Sequence, residues 1–176
     1  LFAKAWAGLE NYKPVRTDSL LNELNRPEYQ VLRRKLIASS LTVIKNDDQV
    51  LPLFRIDTCE TASLNIGNDT VTIFPQTLNL YIETDSYYLS RLAAYTEFES
   101  VQRKVSRYNT LIISLEQTSL SAASRYGITE NTIRFINELN FKGKVILVVF
   151  GNPYLLSYFN HLDHIDAIVV AYDNEA

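Results

Sequence analysis

Short apolar runs rich in β-branched residues, spaced by amphipathic stretches, constrain this chain more than any other feature. Ala62 to Gly67, Thr110 to Leu115, Lys144 to Phe150 and Ala167 to Tyr172 are each too short for a buried helix. Ala62 to Gly67 reads as a short strand with a glycine exit, and the other three, which lack the polar alternation of a half-solvated strand, read as strands covered on both faces. Between them, Phe98, Val101, Val105 and Tyr108 recur at helical spacing, and Thr129 caps a helix bearing Ile133, Phe135, Ile136 and Leu139. Pro153 to Leu162 reads as a further helix, Phe74 to Leu80 as a short ambiguous one, and Tyr81 to Thr84 as a possible second strand. The expectation is an α/β fold: a three-layer α/β/α sandwich, flavodoxin-like, with a mostly parallel sheet of about five strands. The order of elements predicts strand order 2-1-3-4-5 with a switch point between the first and third strands.

The start of the chain reads differently. Phe2, Trp6, Leu9 and Tyr12 recur at roughly helical spacing before Pro14 and the polar run Arg16-Thr17-Asp18-Ser19 interrupt. Residues 1–25 are therefore expected to form an arm, either a helix packed on its own domain or a linker facing a missing neighbour. Residues 26–176 are expected to form the domain. Asn25 can cap a helix that admits Pro27 early and carries Glu28 at its positive end. Leu32, Leu36, Ser39 and Val43, with Ile37, Leu41 and Ile44 beside them, predict a mostly buried helix running to about Lys45. Val50 to Leu53 then leaves in an extended conformation, because Leu51 precedes Pro52.

Several chemistries are excluded by what the sequence lacks. Only five glycines occur, none spaced as G-x-G-x-x-G, and Glu138 stands where a P-loop before Gly143-Lys144 needs a glycine. No G-x-S-x-G elbow is present. Seventeen basic against twenty acidic residues give a net charge of −3, which makes no electrostatic case for nucleic acid. No apolar run approaches the ~20 residues that span a bilayer. The single Cys59 rules out an internal disulfide, and it reads as either a surface thiol or, less readily, a nucleophile. The chain begins at Leu1 and contains no Met, so the expectation is a piece of a longer polypeptide, truncated after its fifth strand. No export signal is visible, which in a fragment says nothing about export; a periplasmic or secreted setting is expected over the cytoplasm.

Two places invite chemistry. His161 and His164, with Asp163 and Asp166 alongside, have helical metal-ligand spacing, or else form a solvated helix end. In open parallel sheets ligands sit at the carboxyl ends of the strands. Those ends carry Gly67-Asn68-Asp69, Glu116-Gln117-Thr118-Ser119, Gly151-Asn152-Pro153 and Asp173-Asn174-Glu175. These clusters either meet a hydroxylated ligand or serve only the turns from strand to helix.

The stretch from Arg34 to Asn46, ending Ser-Leu-Thr-Val-Ile-Lys-Asn and closed by Val50-Leu51-Pro52-Leu53, resembles the opening of the second domain of glycoside hydrolase family 3. Lys4 to Leu9 resembles the segment leaving that family's first domain, a barrel. Val148 to Pro153 and Asp166 to Tyr172 resemble its late strands. The wording of Leu-Thr-Val-Ile-Lys-Asn is closest to bacterial β-N-acetylhexosaminidase members. The resemblance implies an accessory C-terminal domain whose partners are an upstream barrel of the same polypeptide and a carbohydrate substrate in the full enzyme. It implies no cofactor and no metal. The family's aspartate nucleophile lies on the barrel, so this piece is expected to be inactive alone, since a retaining glycosidase needs two groups flanking the scissile bond. Glu116 stands at a place comparable to the acid/base glutamate of the glucosidase branch, although Leu115-Glu116-Gln117-Thr118 does not match that branch. Glu116, Gln117 and Asn152 are the residues expected near substrate. The alternative reading is a free-standing flavodoxin-like ligand-binding or signalling domain.

Overall fold

The computed structural model of the chain describes residues 2–11, 14, 17–54 and 56–173. It divides into two units, Leu1–Leu36 and Ile37–Ala176.

The first unit is helical. It holds α1 (Phe2–Trp6), a 3-10 turn at Leu9–Asn11, α2 (Leu20–Leu24) and the start of α3 (Pro27–Ser40). No residue of these α-helices is buried. Phe2, Trp6 and Leu9 of the aromatic stripe are exposed, and Tyr12 lies outside the described residues. Pro27 opens α3 as its sequence suggests, but Asn25 is not its cap. The Asn25 amide instead donates to the carbonyl of Leu21 at 2.8 Å and closes the end of α2.

The helix read through to Lys45 stops at Ser40, and its apolar stripe is exposed rather than buried: Tyr29, Val31, Leu32 and Leu36 are all open to solvent. Local chemistry accounts for the early stop. The Ser40 hydroxyl bonds back to the carbonyl of Ile37 at 2.8 Å, and Thr42, Val43 and Ile44 are three β-branched residues in a row, stiff at χ1 and suited to extended backbone. They form β1 (Thr42–Asn46).

The second unit is built on a sheet of six strands among the described residues, in the order β1-β6-β5-β4-β2-β3. The others are β2 (Thr61–Gly67), β3 (Thr84–Ser90), β4 (Thr110–Leu115), β5 (Lys144–Val149) and β6 (Ala167–Val170). All pairs are parallel except β1 with β6. The five parallel strands follow the expected 2-1-3-4-5 order, and β1 adds an antiparallel edge. The second parallel strand lies at Thr84–Ser90 rather than Tyr81 to Thr84. Tyr81 instead sits in the turn leaving α4 (Ile73–Leu78), where its N–H meets the carbonyl of Leu78.

The two sheet faces differ in chemistry. Leu64, Ile66, Leu111, Ile113, Val145, Leu147 and Val149 pack beneath α5 (Tyr95–Val105) and α6 (Glu130–Glu138). Phe98 and Phe135 meet there with ring centroids 5.0 Å apart. Thr129 does cap α6, its hydroxyl accepting from the N–H of Thr132. The segment expected as a helix from Pro153 to Leu162 is a 3-10 helix over Pro153–Tyr158. The opposite face is covered by Val50, Leu51, Leu53 and α4, whose Phe74 stands edge-on to Phe150. It is apolar beneath β5 and β6 but polar along β2 and β4, where Ser63, Asn65 and Ser114 are buried.

The Lys-Asn…Leu-Pro-Leu run works as a clamp at the antiparallel edge. Lys45 Nζ donates to the carbonyl of Leu162 at 3.0 Å and pairs with the Asp47 carboxylate at 3.0 Å. The Asn46 amide grips Leu51 twice, accepting from its N–H and donating to its carbonyl, both at 2.8 Å. One side chain thus ties β1 to the loop before β6, and the next shapes the chain leaving β1.

Candidate functional site

The sheet reverses direction of growth between β2 and β4, and the crevice outside their carboxyl ends is the switch point of a doubly wound sheet. Glu116 leaves β4 into that crevice. Its backbone N–H continues the ladder by donating to the carbonyl of Ile66 at 2.8 Å. Gly67 lies against it so closely that a Cβ on that residue would stand 2.4 Å from the carbonyl oxygen of Glu116. Only glycine lets the two strand ends approach this far, and φ there is +143°.

The Glu116 side chain is half-buried and braced from two sides. Its Oε1 accepts from the Ser114 hydroxyl at 2.9 Å and from the Thr72 hydroxyl at 3.1 Å. Thr72 precedes α4, and its side chain makes no cap there; its hydroxyl serves the carboxylate instead. Behind Ser114 stands Asn65, whose Oδ1 lies 2.8 Å from Ser114 Oγ, while Asn65 Nδ2 donates to the carbonyl of Tyr87 at 3.2 Å. Tyr87 therefore orients the amide, and a hydrogen-bonded ladder, buried at Asn65 and Ser114, runs Tyr87–Asn65–Ser114–Glu116–Thr72. Buried polar groups are tolerated when hydrogen-bonded, and each of these side chains has a partner.

Glu116, Gln117 and Asn152 are the residues expected near substrate from the sequence, and the structure gives the three different settings. Gln117 is exposed, holds φ at +52°, and its amide donates to Asn68 Oδ1 across the crevice. Asn152 is half-buried, and its Oδ1 accepts from the N–H of Tyr154 at 2.9 Å, capping the 3-10 helix. The bracing residues Asn65, Ser114 and Thr72 were not singled out from sequence. For Asn65 and Ser114 the one signal is polarity at inward positions of buried strands, as in Ala62-Ser63-Leu64-Asn65-Ile66; Thr72, before α4, carries none.

The same edge carries a cleft of about 280 Å³ lined by Thr118, Leu120, Phe150, Gly151, Tyr172 and Asp173. The opposite, amino edge has a larger depression, about 440 Å³, reached by Glu60, Glu83, Asp85, Arg107 and Tyr108. Its polar groups are engaged with one another: Arg107 pairs with Asp85 at 3.2 Å, and the Tyr108 hydroxyl donates to the Asp85 carboxylate. Burial first, and then the hydrogen bond to Asp85, push the Tyr108 phenol up to about 12. This reads as a closed structural cluster, so the carboxyl edge remains the candidate site.

His161 and His164 fall beyond the 3-10 helix, and the His164 ring bonds the carbonyl of Ile136 at 2.8 Å. No group of three or more potential metal ligands is found among the described residues. No helix among them is long and apolar enough to cross a membrane.

No family model and no curated protein matches the sequence. Solved structures do match the fold. A glycoside hydrolase family 3 β-N-acetylglucosaminidase from Paenibacillus sp. str. FPU-7 superposes over 97% of this chain with a TM-score of 0.62 at 11% identity. The β-glucoside phosphorylase BglX does so over 97% at a TM-score of 0.60 and 13% identity. A fungal multi-domain GH3 β-N-acetylglucosaminidase with a GCN5-related glucosamine N-acetyltransferase region matches over 84%, at 0.59 and 16% identity. The chain spans 32% of the first two proteins and 16% of the third. At these identities the likeness is one of fold: this sheet and its covering helices are similar to a part of each of three larger glycoside-processing proteins.

Proposed function

We propose that this chain is the accessory α/β domain of a glycoside hydrolase family 3 protein, of the β-N-acetylhexosaminidase kind, and that it does not hydrolyse glycosides by itself. Residues 1–25 then lead in from an upstream barrel, which carries the nucleophile. Two things support the reading of the domain. The fold is similar to part of several such proteins, over 84% to 97% of this chain. The Lys45-Asn46…Leu51-Pro52-Leu53 run, on which the sequence resemblance rests, has a definite structural task.

The observation that carries the functional part is the braced carboxylate of Glu116 at the switch crevice. A carboxylate held by two hydroxyls keeps one oxygen directed and leaves the other to meet a hydroxyl of a sugar. In the assembled protein Glu116, with Gln117 beside it, contacts the substrate that the barrel cleaves.

Hydrolysis assays test this. The 176-residue chain alone should leave aryl N-acetylglucosaminides intact, while the polypeptide containing it and its upstream region should cleave them. Turnover by the short chain that follows the protein through repurification overturns the proposal. In the intact protein, Glu116→Gln should raise KM by about tenfold or less, as losing one hydrogen bond does. A fall of about 10²–10⁴-fold in kcat, worst with poor leaving groups, would instead identify Glu116 as a proton donor.

A further inference from the structure

The cleft beside Glu116 has features that the fold itself does not require. Tyr172 follows β6 with φ at +63°, and the N–H of Asp173 reaches back to the carbonyl of Ala171 at 2.8 Å. That is a γ-turn with a left-handed central residue, a strained arrangement for anything but glycine. A glycine would suit this backbone better, yet the chain carries a phenol there. Tyr172 is 44% exposed as a residue, and its hydroxyl lies 3.0 Å from Thr42 Oγ1, which fixes the orientation of the side chain at the rim.

The floor of the cleft is as constrained as its rim. Gly151 has φ at +157°, and a Cβ there would stand 1.9 Å from Thr118 Oγ1. Thr118 is drawn in by its own bond to the carbonyl of Phe150 at 2.6 Å. Gln117, the residue before it, is also left-handed. Strained backbone persists only where the surroundings over-determine it, and it concentrates at functional sites. Leu120, which lines the same cleft, is an apolar side chain 85% exposed among the described residues.

We propose that this cleft binds a single sugar ring, with one face of the ring stacked on Tyr172 and its hydroxyls facing Asp173 and Thr118. The choice of a sugar rests on the glycosidase reading above. The volume agrees with it: about 280 Å³ lies just below the ~300–1,000 Å³ of sites for drug-sized ligands, so one ring fits and a chain of rings does not. The chemistry agrees too. A pyranose presents C–H groups on its faces and hydroxyls around its edge, and the cleft offers an aromatic face and Leu120 against a carboxylate and a hydroxyl.

The isotopically labelled 176-residue chain, titrated with N-acetylglucosamine and followed by amide NMR, tests the site without any catalytic readout. The expected result is saturable shifts at Thr118, Leu120, Gly151 and Asp173 with millimolar affinity. Tyr172→Gly removes the ring at a position where glycine relieves the backbone, so the domain should stay folded and bind at least about tenfold more weakly. Tyr172→Phe should keep most of the affinity. Leu120→Ala, at a solvent-exposed position, should weaken binding about threefold and stands in if the glycine variant unfolds. Absence of saturable shifts at these residues, or shifts that survive both Tyr172→Gly and Leu120→Ala, overturns the proposal. If the intact protein cleaves no glycoside but this cleft still binds the sugar, the glycosidase reading falls and the site stands. If cleavage occurs and nothing binds here, the site alone falls.

Discussion

Adding one methyl group at Gly67 should test the geometry of the switch crevice more severely than any change to Glu116 itself. The Cβ of Gly67→Ala would stand 2.4 Å, 2.7 Å and 3.2 Å from the O, C and Cα of Glu116. All three atoms are backbone, so no side chain can swing aside, and the ends of β2 and β4 must part. One ladder bond goes with them, from Glu116 N–H to Ile66 O at 2.8 Å. The φ of +143° adds its own penalty, about 1–3 kcal/mol for a residue with a Cβ. Overpacking adds about 1–3 kcal/mol more, for a total of about 2–6 kcal/mol against the ~5–15 kcal/mol that holds a typical domain together. Chemical denaturation followed by circular dichroism should show a midpoint far below that of the native chain at a similar slope. Gly151→Ala supplies the contrast, because there the obstacle is the Thr118 side chain. Combining it with Thr118→Gly should recover much of the loss, and no side-chain truncation should rescue Gly67→Ala. A Gly67→Ala chain within about 0.5 kcal/mol of native would refute the close approach of the two strands, and with it the placement of Glu116.

Two further outcomes follow from the electrostatics and from the exposed arm. Because Tyr108 titrates at about 12 rather than at 10.0, its contribution to stability should be fully present below about pH 10 and lost as pH rises toward 12, where the unfolded chain ionises first. Comparing the ultraviolet tyrosinate titrations of native and Tyr108→Phe chains should remove a component near the top of that range, and one lost near 10 would count against the cluster. Trp6 is 84% exposed, so Trp6→Asp should change unfolding free energy by less than about 0.5 kcal/mol while reducing any self-association seen by sedimentation. A large drop in melting temperature without a change in association would mean that the arm belongs to the core.

The strands β4, β5 and β6 were legible because burial on both faces writes a nearly continuous apolar run, and the order of elements then leaves few topologies. The edges were not legible. In β3 the sequence Thr-Asp-Ser-Tyr-Tyr-Leu-Ser has no apolar run, because Tyr87 and Tyr88 are only half-buried and Asp85 faces solvent. β1 was hidden for the opposite reason. Leu36, Val43 and their neighbours satisfy a helical stripe, and only the three consecutive β-branched residues argued for a strand. At the candidate site, the rule that ligands meet strand exits pointed to Glu116, but it could not point to Asn65, Ser114 or Thr72. Their partnership depends on register, Asn65 opposite Ser114, and register is not written in either strand alone.

That partnership also says why one face of the sheet is less apolar than the other. Replacing Ser63, Asn65 and Ser114 with aliphatic side chains would suit the interior at least as well as a hydrogen-bonded network does, since such networks gain little net stability. What the network supplies is direction. The Ser114 hydroxyl has one hydrogen and two acceptors, Asn65 Oδ1 and Glu116 Oε1, so it couples the orientation of the amide to that of the carboxylate. The backbone at this edge repeats the theme. Four of the five parallel strands leave the sheet through positive φ, at Gly67, Gln117, Gly151 and Tyr172, and two of those residues are not glycine. The apolar face, where α5 and α6 pack, can hold the fold without any of this. Strain and buried polarity are both spent at the carboxyl edge, where they fix a carboxylate and an aromatic ring on either side of one short segment. It is on this arrangement that the proposal of a hydroxylated ligand rests.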